Sequence, residues 1–424
     1  MSDKKILLVF TNARSAEKIY NVIPELSKLY KLDLYMLGEF SPKTRWWGDN
    51  DTRFDFIEKN KKHFNEIIEG DGFLFHGDSV KDILSPLDLN KYHTILLDGD
   101  HVREELQWPL LYRAAKKKGI LVIGNHHGNS DFGDNLLGHI SKLALKAEPE
   151  KLTEEKQEFY KTDRKREITD KIISIDKVFC LGEKERIIYN QLYNDKNIIK
   201  GGIPTNDTLK NHLNTEGEYI LLITNFLGNH GMNLMFTKGN LESQLAYKKM
   251  RNKIFPHDFD DEFVTKSGLI ELSKKYNKKI VIKQKTRFDD PRYKQNIEYI
   301  EKVLMHDWDG PYEILTDKGL DIDEVIAKSF IVISAASTLA FKPIQLRKPT
   351  IIVEGTGQIG NFYDYNGIVP LDKVSIENEV ERQLKEGPDL EFIKTTLEGG
   401  LDFNATEIYI NNLKKVIDEH TSNL

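Results

Sequence analysis

The sequence predicts an α/β protein of two domains, each built on a parallel β-sheet. The chain has 424 residues, and a single hydrophobic core stops growing at roughly 250–300 residues, so two cores are expected. Short apolar runs alternate with longer stretches of helical periodicity, which is typical of parallel sheets covered by helices. The series of runs breaks at residues 201–219, where glycine, proline and asparagine cluster, and then restarts.

Each apolar run is expected to form a buried strand. The runs before the break are KILLVF (5–10), LDLYML (32–37), GFLFH (72–76), HTILLD (93–98), ILVIGN (120–125) and KVFCLG (177–182). Those after it are YILLITN (219–225), KKIVIKQK (278–285), EILTD (313–317), FIVIS (330–334) and PTIIVEG (349–355). This pattern fits two Rossmann-like halves. Ligands of such sheets lie beyond the carboxyl ends of the strands, so the cleft between the halves is the expected site.

Composition excludes several classes of protein. Lys plus Arg is 61 and Asp plus Glu is 67, which gives a net charge of −6 and argues against a nucleic-acid partner. Cys180 is the single cysteine, so neither an intramolecular disulfide nor a cysteine-rich zinc site is expected. The N-terminus enters a strand at once, and no apolar run approaches the roughly 18 residues of a membrane span. We therefore expect a cytoplasmic protein without a transmembrane segment.

A turn rich in hydroxyl groups separates the last two runs. Four apolar residues, Phe330 to Ile333, lead into Ser337 and Thr338, which are good N-cap residues for a helix. A helix start that carries hydroxyl donors favours a phosphate. The alternative interpretation is an ordinary N-cap within an αβ unit.

Four longer stretches resemble a known family in their order and spacing. They are residues 95–128 (ILLDGDH…GNHHG), 168–209 (ITDKIIS…GGIPTNDTL), 220–231 (ILLITNFLGNHG) and 280–291 (IVIKQKTRFDDP). Together with the hydroxyl turn, they resemble the GT-B superfamily, which comprises nucleotide-sugar glycosyltransferases and the related UDP-N-acetylglucosamine 2-epimerases. The resemblance covers most of the chain.

The resemblance implies two Rossmann-like domains that face each other across a cleft. The implied division is an acceptor domain at 1–205, a nucleotide-sugar-binding domain at 206–385, and C-terminal helices at 386–424 that bridge the domains and pack back on the first. The implied activity is transfer of a sugar from a nucleotide-sugar donor to a glycan or lipid-linked glycan acceptor in surface or capsular polysaccharide biosynthesis. Neither a cofactor nor a metal is implied. Peripheral contact with the inner face of the membrane is compatible with this role, and no oligomeric state is indicated.

Three alternatives stay open beside the glycosyltransferase. The same fold serves sugar-nucleotide 2-epimerases and glycerophosphotransferases of the teichoic-acid type, and a non-catalytic nucleotide-sugar-binding protein is the third. The last alternative arises from Lys342, which stands where the family carries a glutamate that meets the nucleotide ribose. In place of this ribose contact, Lys342 either binds a phosphate group of the nucleotide or indicates a site without turnover.

The resemblance places the nucleotide in the second domain. The hydroxyl turn would receive the diphosphate, and alternating cations at the end of the neighbouring strand would balance its charge. The nucleotide-binding residues implied in this way are Ser337, Thr338, Lys283, Lys285, Thr224, Asn225 and Glu354.

Catalytic residues are expected in the first domain. Transfer needs a base for the acceptor hydroxyl, and His127 with Asp131 lies in GNHHGNSDFGDN, just past the end of a strand. The alternative is that His127 only caps a helix or satisfies a loop. Asp98 and Asp100 fit contacts to acceptor hydroxyls or an Asp-Gly turn, which we favour. Glu183 is a weaker candidate for a sugar contact, in the first turn of a helix.

Overall fold

The computed structural model describes two compact units. The described residues are 4–11, 16–40, 52–70, 84–99, 102–103, 108–125, 172–173, 175–190, 193–224, 264, 267–284, 294, 297–298, 300–306, 308–315, 320–354, 362, 364–370 and 376–422. Those of Met1–Gly128, Ile168–Asp207 and Lys394–Leu424 belong to the first unit, and those of Thr208–Ile393 belong to the second. The run GFLFH and the residues His127 and Asp131 lie outside the described residues.

The first unit is built on a parallel sheet. Its strands are β1 (Lys5–Phe10), β2 (Lys31–Met36), β3 (Glu66–Glu69), β4 (Thr94–Leu97), β5 (Val102–Arg103), β6 (Leu121–Gly124), β7 (Ile172–Ile173), β8 (Lys177–Cys180) and β9 (Ile198–Lys200). Seven of them form the sheet in the order β3-β2-β1-β4-β6-β8-β9, and β5 pairs antiparallel with β7. The α-helices among these strands are α1 (Val22–Leu29), α2 (Thr52–Asn60), α3 (Trp108–Lys117) and α4 (Glu183–Tyr189).

The second unit contains another parallel sheet. Its strands are β10 (Tyr219–Ile223), β11 (Lys279–Lys283), β12 (Tyr312–Ile314), β13 (Ser329–Ser334), β14 (Thr350–Glu354) and β15 (Ile368–Pro370), in the order β12-β11-β10-β13-β14-β15. Its helices are α5 (Leu269–Tyr276), α6 (Ile322–Ala327), α7 (Phe341–Gln345) and α8 (Glu377–Glu386), and the end of the unit falls within α9 (Leu390–Thr396). A 3₁₀ helix at Thr338–Ala340 precedes α7, and another at Pro204–His212 contains the boundary between the units.

The central strands are buried on both faces. All five residues of β10 are buried, as are Ile6 to Phe10 of β1. Continuous apolar runs are what a parallel strand requires when helices cover both faces of its sheet. The predicted α/β class with two parallel sheets is confirmed.

The first six strands of the seven-stranded sheet follow the same order as the strands of the six-stranded sheet. The first strand of each series lies beside its second strand on one side and its fourth strand on the other, so the chain reverses direction across the sheet between β1 and β4 and again between β10 and β13. In open α/β sheets the carboxyl ends of the strands at this switch point form the crevice that binds ligands. Each sheet therefore has one switch point at which a ligand site is expected.

The C-terminal helix, α10 (Ala405–Ser422), packs on the first unit. Tyr409, Leu413, Val416 and Ile417 are part of the apolar core that also contains β1 and β2 residues. The Tyr409 ring stacks on Phe179 with centroids 4.0 Å apart. The prediction that a C-terminal helix returns to the first domain is confirmed. No helix in the described part of the chain is long and apolar enough to cross a membrane.

Candidate functional site

Three polar residues lie at the carboxyl ends of adjacent strands in the second sheet. Thr224 follows β10, Gln284 follows β11, and Ser337 stands in the turn after β13. Ile223 pairs with Lys283, so Thr224 and Gln284 come next at the same level. Leu222 pairs with Ile333, which brings the turn after β13 to the same edge of the sheet. The three residues thus surround the switch point of the second sheet.

Their polar atoms are buried and form no hydrogen bond. This holds for Oγ1 of Thr224, for both Oε1 and Nε2 of Gln284, and for Oγ of Ser337. Thr224 is 0% exposed and Gln284 is 3% exposed. An unsatisfied buried polar group costs roughly 1–3 kcal/mol, and native proteins leave few such groups. Several of them lie at one switch point, which is where open α/β sheets bind their ligands.

Ser337, in the turn after β13, is the N-cap residue of the 3₁₀ helix that begins at Thr338. Ser337 has the extended backbone of an N-cap residue (φ −153°, ψ 162°), and the helix starts at Thr338 as predicted. The Ser337 side chain does not make the usual capping bond to the helix backbone. The Ser337 hydroxyl therefore keeps its donor and acceptor capacity for another partner.

Lys283 is the last residue of β11, and its ammonium group donates to the carbonyl oxygen of Gln284 at 3.3 Å. Glu354 is the last residue of β14 and pairs with Pro370 of β15. Lys285 and Asn225 lie outside the described residues. Of the predicted nucleotide-binding residues, the structure therefore describes Thr224, Lys283, Ser337, Thr338 and the backbone of Glu354.

The lysine at the family's glutamate position has a partner. The ammonium group of Lys342 forms an ion pair with Asp323 of α6, and the two side chains are 15% and 14% exposed. Thr208 Oγ1 donates to the same carboxylate at 3.0 Å. Asp323 thus neutralises the charge of Lys342 beside the hydroxyl turn.

The switch point of the first sheet is different, because its polar groups satisfy one another. The Asp98 carboxylate accepts from the Thr11 backbone N–H at 2.6 Å and from the Thr11 hydroxyl at 2.8 Å, and Asp98 is 1% exposed. Thr11 follows β1 and Asp98 follows β4, so these bonds join the two strand ends. The contacts of Asp98 are those of a strand-end residue that holds the sheet together.

A second buried bond network holds the end of β6. Asn125 Nδ2 donates to the carbonyl oxygen of Leu97 at 2.6 Å, and the Tyr409 hydroxyl donates to Asn125 Oδ1 at 2.5 Å. Burial raises the pKa of the Tyr409 hydroxyl, which stays protonated and able to donate. Asn125 directly precedes the sequence that contains His127 and Asp131, and the residue is thereby fixed from two sides.

Glu183 begins α4, as predicted, and is bound by cations. The Arg186 guanidinium donates to its carboxylate, with the Nε atom 3.0 Å from Oε1, and this bond lowers the pKa of the Glu183 carboxyl. Lys200 lies 3.7 Å from the same carboxylate. These residues, with Glu398, line a groove of about 510 Å³ on the first unit. Asp100 lies outside the described residues, and the described residues contain no cluster of ligands that could hold a metal ion.

Comparison with solved structures finds proteins of similar fold over nearly the whole length of the chain. A Listeria monocytogenes protein assigned to the UDP-N-acetylglucosamine 2-epimerases is 12% identical with a TM-score of 0.53, over 99% of this chain and 98% of that one. The Rickettsia bellii UDP-N-acetylglucosamine 2-epimerase is 14% identical with a TM-score of 0.51, over 98% and 97%. The Neisseria meningitidis enzyme, bound to UDP-GlcNAc, is 15% identical with a TM-score of 0.50, over 97% and 100%.

The similarity to these proteins is one of fold. No protein-family model matches the sequence, and no curated protein matches it either. The chain has the GT-B fold, as the resemblance implied.

Proposed function

We propose that this protein is a glycosyltransferase of surface or capsular polysaccharide biosynthesis, which binds a nucleotide-sugar donor at the carboxyl edge of its second sheet. The observation that carries the proposal is the group of buried, unbonded polar atoms of Thr224, Gln284 and Ser337 at the switch point. The corresponding atoms of the first sheet, on Thr11 and Asp98, are bonded to each other. The contrast supports a polar ligand in the second unit.

The leaving diphosphate needs positive and hydrogen-bonding groups as its charge develops. In this proposal the Ser337 and Thr338 hydroxyls donate to phosphate oxygens, and Lys283 with Lys285 balances the charge. Lys342 contributes little, because Asp323 neutralises it. The donor site is thus built from side chains of the second unit.

Proton transfer is assigned to the sequence that follows β6. His127 takes the proton of the acceptor hydroxyl and Asp131 orients its ring, or Asp131 itself takes the proton. A histidine with a pKa near 6.5 can accept a proton at neutral pH. The acceptor in this proposal is a glycan or a lipid-linked glycan.

A sugar-nucleotide 2-epimerase is the second candidate, because solved structures with this fold include 2-epimerases. An epimerase converts a nucleotide sugar with no acceptor present, whereas a transferase releases nucleotide only as an acceptor is consumed. Product analysis by mass spectrometry, with a panel of nucleotide sugars and with or without glycan acceptors, separates the two activities. Acceptor-dependent product supports the transferase, and acceptor-independent isomerisation supports the epimerase.

Variants of the proposed base test the assignment of the chemistry. His127→Ala or Asp131→Asn should lower kcat by roughly 10²- to 10⁴-fold, which is the usual contribution of general-base catalysis, and should leave nucleotide affinity nearly intact. His306→Ala is the matched control, because His306 is exposed in the second unit. Near-normal turnover in both variants would place the base at Asp100 or at Asp134, the second aspartate of GNHHGNSDFGDN.

A further inference from the structure

Gln284 was not expected from the sequence, and the state of its side chain is unusual. Both the carbonyl oxygen and the amide nitrogen are buried without a hydrogen bond, and the residue is 3% exposed. Thr224 stands beside it on the neighbouring strand with its hydroxyl in the same condition. The two residues offer one carbonyl acceptor, two amide hydrogens and one hydroxyl group.

The two residues lie at the end of the apolar core of the second unit. Thr224 comes two residues after Leu222 at the end of β10, and Gln284 comes two residues after Ile282 at the end of β11. Leu222 and Ile282 belong to the core cluster of that unit. A ligand group bound by this pair therefore meets apolar surroundings and a coplanar donor and acceptor.

Three parts of a nucleotide sugar can be compared with these surroundings. A diphosphate only accepts hydrogen bonds, so it would leave Gln284 Oε1 unsatisfied. An acetamido group is a trans secondary amide whose N–H and C=O point in opposite directions, so it cannot bond to both ends of one carboxamide. A sugar ring is covered by hydroxyl groups, most of which would lose their water without a new partner at a place as buried as this one.

A nucleobase satisfies both requirements. Its ring is flat and largely apolar, and its Watson–Crick edge carries a donor and an acceptor on adjacent positions, to which a glutamine amide forms two parallel bonds. We propose that Gln284, with Thr224 beside it, binds the base of the nucleotide and determines which base is accepted. This inference rests on the proposed function, because it assigns a role within the same donor site.

The test measures the affinity of the full-length chain for UDP, CDP, GDP, ADP and inorganic pyrophosphate by calorimetry. Gln284→Met keeps the shape of the side chain and removes both bonds. We expect it to weaken the preferred nucleotide by about 10- to 100-fold, the value of a good bidentate contact, and to leave pyrophosphate unchanged. Thr224→Val should weaken the same nucleotide by a smaller factor. The differences in affinity among the four nucleotides should become smaller in Gln284→Met.

Two controls separate base recognition from a structural role. Thr94→Val removes a hydroxyl group that is also buried and unbonded, but in the first unit, so it should change no affinity. Without ligand, Gln284→Met should melt no lower than the wild type, because it replaces an unsatisfied polar group with an apolar one. A lower melting temperature together with an unchanged base ranking would make Gln284 a structural residue and overturn the inference.

Gln284→Glu is a second test of base recognition, and its outcome does not depend on whether Gln284→Met folds. A carboxylate only accepts, so the preference should move toward guanine, whose Watson–Crick edge carries two donors. A ranking identical to that of the wild type, or an equal loss for all four nucleotides and pyrophosphate, contradicts base recognition by Gln284. The proposed function fails separately, if the wild type binds none of the four nucleotides or if Ser337→Ala/Thr338→Ala leaves their affinity unchanged.

Discussion

At the scale of single residues, hydrogen bonds between Thr11 and Asp98 satisfy the polar groups at the switch point of the first sheet. The carboxylate is almost fully buried and accepts both hydrogen bonds from one residue on the neighbouring strand. A buried charge is tolerated only where such bonds replace its water. At the switch point of the second sheet, the polar atoms of Thr224, Gln284 and Ser337 have no such bonds. This difference is the reason for proposing the nucleotide site there.

Asp98→Ala is predicted to lower the free energy of unfolding by about 2–4 kcal/mol, because it leaves two donors of Thr11 unsatisfied and removes bonds to a charged group. Urea-induced unfolding of the full chain measures this change. Glu69→Ala, which removes an exposed carboxylate at the end of β3, should change stability by less than about 0.5 kcal/mol. Equal effects of the two variants would show that Asp98 does not hold the strand ends together.

The ion pair of Lys342 and Asp323 is the second case at this scale. Removing one partner of a well-buried pair leaves an uncompensated charge. A double-mutant cycle of Lys342→Ala and Asp323→Ala should give a coupling of about 1–3 kcal/mol. The exposed Lys328–Glu324 pair is the matched control, with an expected coupling below about 0.5 kcal/mol.

Nucleotide affinity provides an independent check of the same pair. Lys342→Ala should weaken nucleotide binding less than Ser337→Ala/Thr338→Ala does, because the lysine charge is already neutralised. A larger loss for Lys342→Ala would mean that Lys342 meets phosphate, the alternative that the sequence left open.

At the scale of elements, α10 completes the first unit. Its apolar side covers the core, and its first turn is capped by a residue far away in sequence, since Asp207 accepts from the backbone N–H groups of Ala405 at 3.0 Å and Thr406 at 2.8 Å. A carboxylate is favourable at a helix N-terminus, where backbone donors are unpaired. The cap fixes where the helix begins on the unit.

Leu413→Ala should destabilise the first unit by about 2–5 kcal/mol, because Leu413 is fully buried and a cavity would replace its side chain. Lys414→Ala, at the next and exposed position of the same helix, is the control and should change stability by less than about 0.5 kcal/mol. Thermal unfolding distinguishes the two. Comparable melting temperatures for both variants would show that α10 contributes little to the core.

Asp207→Ala should cost about 0.5–2 kcal/mol through loss of the cap, and Asp207→Asn should cost less because an amide oxygen still accepts. Urea unfolding measures both variants. Identical losses for alanine and asparagine would argue that the carboxylate acts through something other than its two hydrogen bonds.

At the scale of the whole molecule, length and apolar periodicity were sufficient to predict two parallel sheets. The apolar runs of β1, β4 and β10 predicted strands correctly, because central strands of a parallel sheet are apolar on both faces. The strands β3, β5, β7, β9 and β15 were not predicted, since each has only two to four residues and such short windows carry no usable period.

The candidate site was predicted in part. Ser337 and Thr338 were found because hydroxyl residues after an apolar run form a local signal. Gln284 was missed because its state depends on the register of β10 and β11, which no local pattern encodes. The pairing of Lys342 with Asp323 likewise depends on the packing of α6 and α7. His127 and Asp131 remain predictions of the sequence.

The proposed function depends on nucleotide binding by the hydroxyl turn at the switch point of the second unit. The most direct test is the dissociation constant of nucleoside diphosphates for the full chain, with and without the Ser337→Ala/Thr338→Ala change. We expect the wild type to bind at least one of UDP, CDP, GDP, ADP and dTDP. The double variant should weaken this binding by about 1–3 kcal/mol, the scale of hydrogen bonds to a charged group. An unchanged dissociation constant in the double variant would contradict it.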